Sequence, residues 1–277
     1  MDAARRPLLE PATTDRSPAQ RSGLIGAPSY RANLGYRLAR RIARLLAWRL
    51  FRIHVEGLEN LPRDESGAMA GGWICAGLPH RTWVEPAILL GLLPAEPRLA
   101  MMADAPTAVG SWWRRRLMSI VGGVVLIPRR AASGTRGFEH QVAAVAKVLD
   151  AGAVFSIFPE QGPPTRPPAL RRVSPAVAYF ALRTGRPIVP VVFGGTHELF
   201  LRRSIVVRIL PAQPTPPATP AGSASGREAA ERLLGELLAR VVPVADEVHR
   251  AAEPRPGAHR RWRWLTGPYP RVADERD

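Results

Sequence analysis

Two hydrophobic patterns alternate along the chain from residue 51 to residue 210. Short, continuous apolar runs such as GGWICAG, VVLI and PIVPVVF indicate buried strands, and segments with apolar residues every three or four positions indicate helices. Gly152 and Gly185 follow two of the helical segments, at the position where helices often end in glycine. Because apolar strands that alternate with helices are typical of parallel sheets, the pattern predicts an α/β fold with a mostly parallel sheet flanked by helices.

Residues 31–51 have the helical period and predict an amphipathic N-terminal helix. This segment suggests an interfacial membrane anchor, because a basic amphipathic helix with aromatic residues suits a membrane surface. It also fits a helix that packs on the domain and leaves its arginines in solvent, and the two interpretations are compatible. The apolar stripe comprises Leu34, Leu38, Ile42, Leu45 and Leu46, the arginines largely opposite are Arg37, Arg40, Arg41 and Arg44, and the aromatic residues are Trp48 and Phe51.

Composition divides the rest of the chain. Residues 1–30 are rich in Pro, Ser, Thr and Arg and predict a disordered arm, and residues 31–210 predict one domain. The Pro-rich segment 211–226 predicts a linker, 227–250 a C-terminal helix, and 251–277 a basic aromatic tail.

Charge and cysteine content limit the possible partners of the protein and its cellular compartment. The formal net charge is +16, which favours an anionic partner such as nucleic acid, anionic lipid or a phosphorylated substrate. The single cysteine, Cys75, excludes an internal disulfide and favours a reducing compartment, so we expect the cytoplasmic side. No apolar run approaches the roughly 18–20 residues of a membrane span, so we expect a peripheral protein.

Several common catalytic motifs are missing. The sequence contains no G-x-S-x-G, no P-loop, and no G-x-G-x-x-G after a strand. His197 and Glu198 begin an H-E-x-x-H zinc motif, but Leu201 stands where its second histidine would be. Cys75 lies in an apolar run and is most simply a core residue. The histidines without a local partner pattern, interpreted as structural or surface residues, are His54, His140, His249 and His259.

The segment GLPHRTWVEP places His80 five residues before Glu85. Five residues of helix turn through about 500°, so the two side chains meet only if His80 lies in the loop before the helix. A carboxylate on the imidazole would fix its tautomer and stabilise the imidazolium. The alternative is that Glu85 only completes a capping box that starts at Thr82.

Other polar side chains follow predicted strands. Arg129 ends GGVVLIPR, Glu160 ends FSIFPE, and a third strand is predicted to end at Pro190-Val191-Val192. Because α/β sheets bind ligands at the carboxyl ends of their strands, these residues and His80 are expected to converge on one site.

These segments resemble the four blocks of the glycerophospholipid acyltransferases, the PlsC-like family. The family blocks N-H-x-x-x-x-D, G-x-x-F-I-x-R, F-P-E-G-T-R-S and V-P-V correspond, in order, to PHRTWVE, GVVLIPR, FPEQGPPTR and IVPVV. The resemblance spans about residues 70–210 and implies that the domain 31–210 is an acyltransferase. This sequence has Glu85 where the family has Asp, and Arg166 stands about three residues late in a Pro-rich loop.

The resemblance implies a role for each site residue. His80 would be the base and Glu85 its orienting carboxylate, while Arg129 would bind the acceptor's phosphate. Glu160, with Gly162 and Arg166 of the same block, would hold the acceptor, and the strand around Pro190 would border the acyl site. No metal or tightly bound cofactor is implied, and acyl-CoA or acyl carrier protein would be the cosubstrate.

The expected partners are the acyl thioester, a lysophospholipid and the anionic membrane surface, with no nucleic acid. Lysophosphatidate, giving phosphatidate, is the default acceptor. The alternatives are acylation of another membrane lipid or glycolipid, and a catalytically weakened membrane-binding relative.

Overall fold

The computed structural model describes residues 23–25, 29–104, 112, 116, 124–127, 135–161, 170, 172–216 and 224–253. Strands and helices alternate along these residues, as the hydrophobic pattern predicted. The strands are β1 Gly23–Ile25, β2 Arg52–Glu56, β3 Ile74–Leu78, β4 Leu99–Asp104, β5 Val124–Ile127, β6 Val154–Ile157, β7 Ile188–Gly194 and β8 Ser204–Ile209. The helices are α1 Leu34–Leu50, α2 Val84–Leu92, α3 Thr135–Asp150, α4 Ala176–Thr184 and α5 Ala224–Ala251.

All eight of these strands form one sheet in the order β1-β5-β4-β6-β3-β7-β8-β2. The five strands in the middle, β5, β4, β6, β3 and β7, pair in parallel. β1 is antiparallel to β5, β8 is antiparallel to β7, and β2 runs parallel to β8. The predicted mostly parallel α/β sheet is therefore confirmed, and the carboxyl ends of its middle strands lie along one edge.

Helices cover both faces of the sheet. On one face, Ile74, Ala76 and Leu78 of β3 pack in a core shared with α3, α4 and α5. Cys75, between them in sequence, points to the other core, which α1 and α2 complete. This alternation follows from the period of two residues in a strand, and burial on both faces explains the continuous apolar runs.

Helix α1 packs with its apolar stripe facing outward. The five stripe residues are strongly exposed, at 83% for Leu34, 57% for Leu38, 48% for Ile42, 64% for Leu45 and 53% for Leu46. Tyr36 and Ala47 are the residues of α1 that are buried against the domain. The predicted aromatic contribution to a membrane anchor is wrong for Phe51, which is 2% exposed, and Trp48 is partly buried.

The arginine face of α1 lies partly against α2. Arg40 Nε donates to the Leu93 carbonyl, and Arg44 Nη1 donates to the Gly91 carbonyl at 3.3 Å. These carbonyls end α2, where a helix leaves acceptors unsatisfied and its dipole favours cations. A Cβ at Gly91 would lie 2.9 Å from Arg44 Cα, so the glycine allows the close approach. The interpretation of a helix packed on the domain with its arginines in solvent therefore holds for the exposed Arg37 and Arg41 and is wrong for Arg40, which is partly buried.

The ends of the chain differ in part from the predicted arm and linker. Strand β1 lies within the predicted disordered arm 1–30, and α5 begins at Ala224, inside the predicted linker 211–226. Gln213 in that linker is buried and exchanges two backbone hydrogen bonds with Ile188. The tail beyond residue 253 lies outside the described residues. Among the described helices, none combines the length and apolar character needed to cross a bilayer.

Candidate active site

His80 lies in the loop that joins the carboxyl end of β3 to α2. Its side chain is 33% exposed, whereas the Glu85 side chain, in the first turn of α2, is fully buried. The loop turns back across that helix turn and brings His80 Nδ1 to 3.6 Å from Glu85 Oε2. This is longer than a hydrogen bond and within range of an ion pair once the imidazole is protonated. The predicted meeting of the two side chains is therefore present.

The Glu85 carboxylate also holds the start of α2. It accepts hydrogen bonds from the backbone N–H of Arg81 at 3.0 Å, the N–H of Thr82 at 2.9 Å and the Thr82 hydroxyl at 3.2 Å. The Thr82 hydroxyl in turn accepts a hydrogen bond from Val84 N at 3.3 Å. One carboxylate in one position thus bonds the backbone at the helix start and lies 3.6 Å from the His80 imidazole, and its catalytic role stays a prediction.

Glu160 fixes the backbone of the His80 loop. It follows β6, and its buried carboxylate accepts the backbone N–H of His80 at 2.8 Å. Arg81 Nη2 lies 3.5 Å from the other oxygen of Glu160. Backbone hydrogen bonds between residues 159–161 and 172–174 hold this segment in place. The contact seen for Glu160 is with the protein, and its contact with an acceptor stays a prediction.

Phe158 supports the His80 ring. The two ring centroids are 4.5 Å apart and the planes are tilted by 34°. A Cβ at Gly77 would lie 2.4 Å from Phe158 Cε1, so Gly77 leaves the space that the phenyl ring occupies. The imidazole is thereby held between a carboxylate at one nitrogen and an aromatic ring at its face, with its remaining surface open.

Comparisons with known proteins address the family and the fold of this chain. A family model described as Acyltransferase matches residues 52–194, just over half of the chain. The chain belongs to this acyltransferase family. The match covers β2 to β7 and includes His80, Glu85 and Glu160. A search of curated proteins finds no match.

A solved structure supports the fold of this acyltransferase. The crystal structure of the 1-acyl-sn-glycerophosphate (LPA) acyltransferase PlsC from Thermotoga maritima is similar, with a TM-score of 0.50 and 19% sequence identity. The match covers 76% of this chain and 79% of that one. The acyltransferase family predicted from the four sequence blocks is therefore confirmed by the family model, and the α/β fold by the structural match.

The remaining predicted site residues of the acyltransferase fall into two groups. Arg129, Gly162 and Arg166 lie outside the described residues. Pro190 lies inside β7, where it is buried and pairs with Ala76, four residues before His80. The prediction that this strand ends at Pro190–Val192 is wrong, because β7 continues to Gly194. The role of Pro190 beside an acyl chain stays a prediction.

Sequence reasoning missed three contributors to this acyltransferase site: Phe158, Arg81 and Gly77. Phe158 stands within the FPE block, and Gly77 ends an apolar run, so their positions were visible although their contact with each other and with His80 was not. The arrangement suits proton transfer. With Nδ1 toward Glu85, the neutral imidazole would carry its proton on Nδ1 and leave Nε2 to accept another.

Proposed function

We propose that the protein transfers a fatty acyl group from an acyl thioester, either acyl-CoA or acyl carrier protein, to a hydroxyl of a lysophospholipid. Lysophosphatidate, giving phosphatidate, is the default acceptor. The observation that supports this proposal most is the His80–Glu85 pair at the carboxyl edge of the sheet, within the residues that match the acyltransferase family.

The proposed reaction is a direct transfer. His80 Nε2 takes the proton of the acceptor hydroxyl while the oxygen of that hydroxyl attacks the thioester carbonyl carbon. The buried Glu85 carboxylate, 3.6 Å from Nδ1, stabilises the imidazolium that forms. The tetrahedral intermediate collapses by breaking the C–S bond, and the imidazolium returns its proton to the departing sulfur. The products are the ester and the free thiol.

We further propose that the protein works at the surface of an anionic bilayer. Helix α1 presents five exposed apolar side chains in one stripe. The exposed Arg41 lies at the edge of that stripe, and the exposed Arg49 lies within it. Such a surface buries apolar groups at the headgroup level while arginines reach the lipid phosphates. Trp83, 53% exposed and three residues after His80, adds an aromatic side chain near the site.

An acceptor screen tests the acyl transfer. Wild-type protein is incubated with acyl-CoA or acyl carrier protein and a panel of lysophospholipids and glycolipids, and thiol release and lipid products are measured. His80→Ala should lower kcat/KM on the order of 10²–10⁴-fold with an unchanged melting temperature. His54→Ala is the matched control, since His54 is exposed on the edge strand β2. If no acceptor gives His80-dependent thiol release with either donor, the proposed activity is wrong.

Vesicle co-sedimentation tests the membrane surface. Leu38→Asp/Ile42→Asp should lose most binding to vesicles that contain phosphatidylglycerol, whereas Val242→Asp, at a 43% exposed apolar residue of α5, should bind like wild type. Equal binding by all three proteins would contradict a role for α1. Equal binding to neutral vesicles would contradict the preference for anionic lipid.

A further inference from the structure

A second group of ionisable side chains surrounds a small pocket next to His80. The pocket lies between the loop after β3, the loop after β7 and the last turns of α5. Its wall includes Pro79 and Arg81, which flank His80 in sequence, together with Thr196, His197 and His249. It therefore opens at the same carboxyl edge of the sheet as the candidate catalytic pair.

Close packing at Gly194 brings the two histidines together. A Cβ at Gly194 would lie 2.3 Å from the carbonyl oxygen of Val248, so the α5 backbone rests directly on the end of β7. His249 follows Val248, and its ring centroid lies 5.1 Å from that of His197. Both histidines lie beyond the C-terminal end of the family match, 52 positions apart, and could not be paired by local spacing.

Two buried arginines set the charge of this pocket. Arg81 is 7% exposed and Arg203 is 1% exposed, and both act electrostatically on both imidazoles. Burial, followed by Arg203, His249 and Arg81, lowers the pKa of His197 to about 4 despite the opposing carboxylate of Glu198.

The pKa of His249 is also lowered, first by burial and then by the two arginines. Glu253 and Asp246 oppose this shift, and both are exposed to solvent, which screens them. Glu160, 3.5 Å from Arg81 Nη2, offsets part of the arginine charge, but the described lining of the pocket contains no carboxylate.

This chemistry selects an anion with several acceptor oxygens. Guanidinium groups and protonated imidazoles are hydrogen-bond donors, and phosphate groups accept bonds from both. A metal cation would be repelled by the two arginines, and an acyl chain would gain nothing from four polar side chains.

We propose that the pocket lined by Arg81, His197 and His249 binds a phosphate group beside His80, with the buried Arg203 adding positive charge near the two imidazoles. The group belongs either to the CoA part of an acyl donor or to the headgroup of a phospholipid acceptor. Arg129, for which the sequence predicts a phosphate contact, is not one of the residues used in this proposal. The identity of the natural ligand rests on the proposed acyltransferase function, but binding of phosphate itself does not.

Nuclear magnetic resonance of the histidine side chains in the full-length protein tests this site. Inorganic phosphate, glycerol 3-phosphate and adenosine 3′,5′-bisphosphate are titrated separately, with acetate at equal ionic strength as the control anion. The imidazole signals of His197 and His249 should shift to saturation with the phosphates and not with acetate. The pKa of each should rise by about 1 unit or more, because a nearby anion favours the protonated form.

Variants test whether His197 and His249 bind the phosphate. His197→Gln/His249→Gln should weaken phosphate binding about tenfold or more, the loss expected when charge-assisted hydrogen bonds are removed. His54→Gln should leave it unchanged. Tighter binding of the bisphosphate assigns the pocket to the donor, and tighter binding of glycerol 3-phosphate assigns it to the acceptor.

The proposal is overturned if no phosphate compound shifts the two wild-type histidines to saturation, a result that needs no variant to fold. It is also overturned if the folded double variant binds as tightly as wild type. If the protein binds phosphate here but transfers no acyl group, the phosphate site is supported and the proposed acyltransferase function is wrong.

Discussion

The two histidine sites at one edge of the sheet have opposite electrostatic surroundings. His80 lies 3.6 Å from a fully buried carboxylate, whereas His197 lies near two buried arginines and a second histidine. The first arrangement places an anion beside its imidazole, whereas burial and two nearby arginines lower the pKa of His197. The difference teaches that the buried partner, not the histidine itself, decides which task an imidazole at a strand end can perform.

Aromatic side chains separate these sites. Phe158 lies 4.5 Å from the His80 ring and 6.3 Å from the Phe193 ring, and Phe193 belongs to the wall of the phosphate pocket. The two sites are therefore neighbours that share one ionisable side chain, Arg81, which contacts Glu160 and also lines the pocket. Substitutions can break one site and leave the other intact.

Removing the carboxylate from the His80 site should have the largest effect. We expect Glu85→Gln to lower kcat/KM at least about a hundredfold, because the imidazolium loses its counter-charge. Stability should fall by about 1–3 kcal/mol, since an amide replaces a buried acceptor of three hydrogen bonds. Steady-state kinetics and thermal unfolding measure the two losses. Glu139→Gln, on α3, is the control and should retain activity; full activity in Glu85→Gln would remove the contrast between the sites.

Shortening the same side chain separates its two tasks. Glu85→Asp keeps the charge toward His80 but retracts it by one methylene from the N–H groups of Arg81 and Thr82. We expect activity within about tenfold of wild type and a stability loss of about 1 kcal/mol, the usual cost of a weakened cap. Activity equal to or above wild type would support the pairing strongly. A stability loss with no response of activity to either Glu85 variant would leave only the cap.

Lowering the pH should reduce the stability of the fold through protonation of His197 in the second site. The folded state holds the pKa of His197 at about 4, against 6.5 for an ordinary histidine, so the unfolded chain binds more protons between these pH values. Stability should therefore fall as the pH drops through this window, by about 2 kcal/mol after allowance for partial exposure of the side chain.

Denaturant unfolding in phosphate-free buffer measures this dependence. His197→Gln should flatten the pH profile within the same window, and added phosphate should oppose the loss in wild type. A profile that is identical in wild type and His197→Gln would show that burial and the arginines do not lower the pKa of this imidazole.

The smallest effect is expected from substitution of Phe158, whose ring lies between the two sites. Phe158→Leu should lower kcat about 3- to 10-fold, because the imidazole loses a contact that fixes its orientation. Phosphate affinity should stay within about twofold of wild type. Phe138→Leu, which removes a partly buried ring between α3 and α4, is the matched control and should leave both properties unchanged. A large change in phosphate affinity would mean that the two sites are coupled through Phe158.

The sequence predicted much of the fold because its signals were local. Continuous apolar runs marked the strands from β2 to β8, and glycines at positions 152 and 185 marked helix ends that the structure confirms with positive φ angles. Strand β1 was missed because three residues within a polar segment carry no periodic pattern. The orientation of the apolar stripe of α1 was left open between a membrane anchor and a helix packed on the domain, since a pattern shows that a helix has two faces but not which one meets the domain.

For the candidate site, the sequence by itself determined the histidine, its carboxylate and the family, because each lies within a short block of fixed spacing. It left open whether Glu85 caps a helix or faces His80, and only the fold of the loop decided that one buried carboxylate does both. His197 and His249 looked unrelated, since 52 residues separate them in sequence. Their meeting depends on the packing of α5 against Gly194, a contact between distant segments that local spacing does not encode.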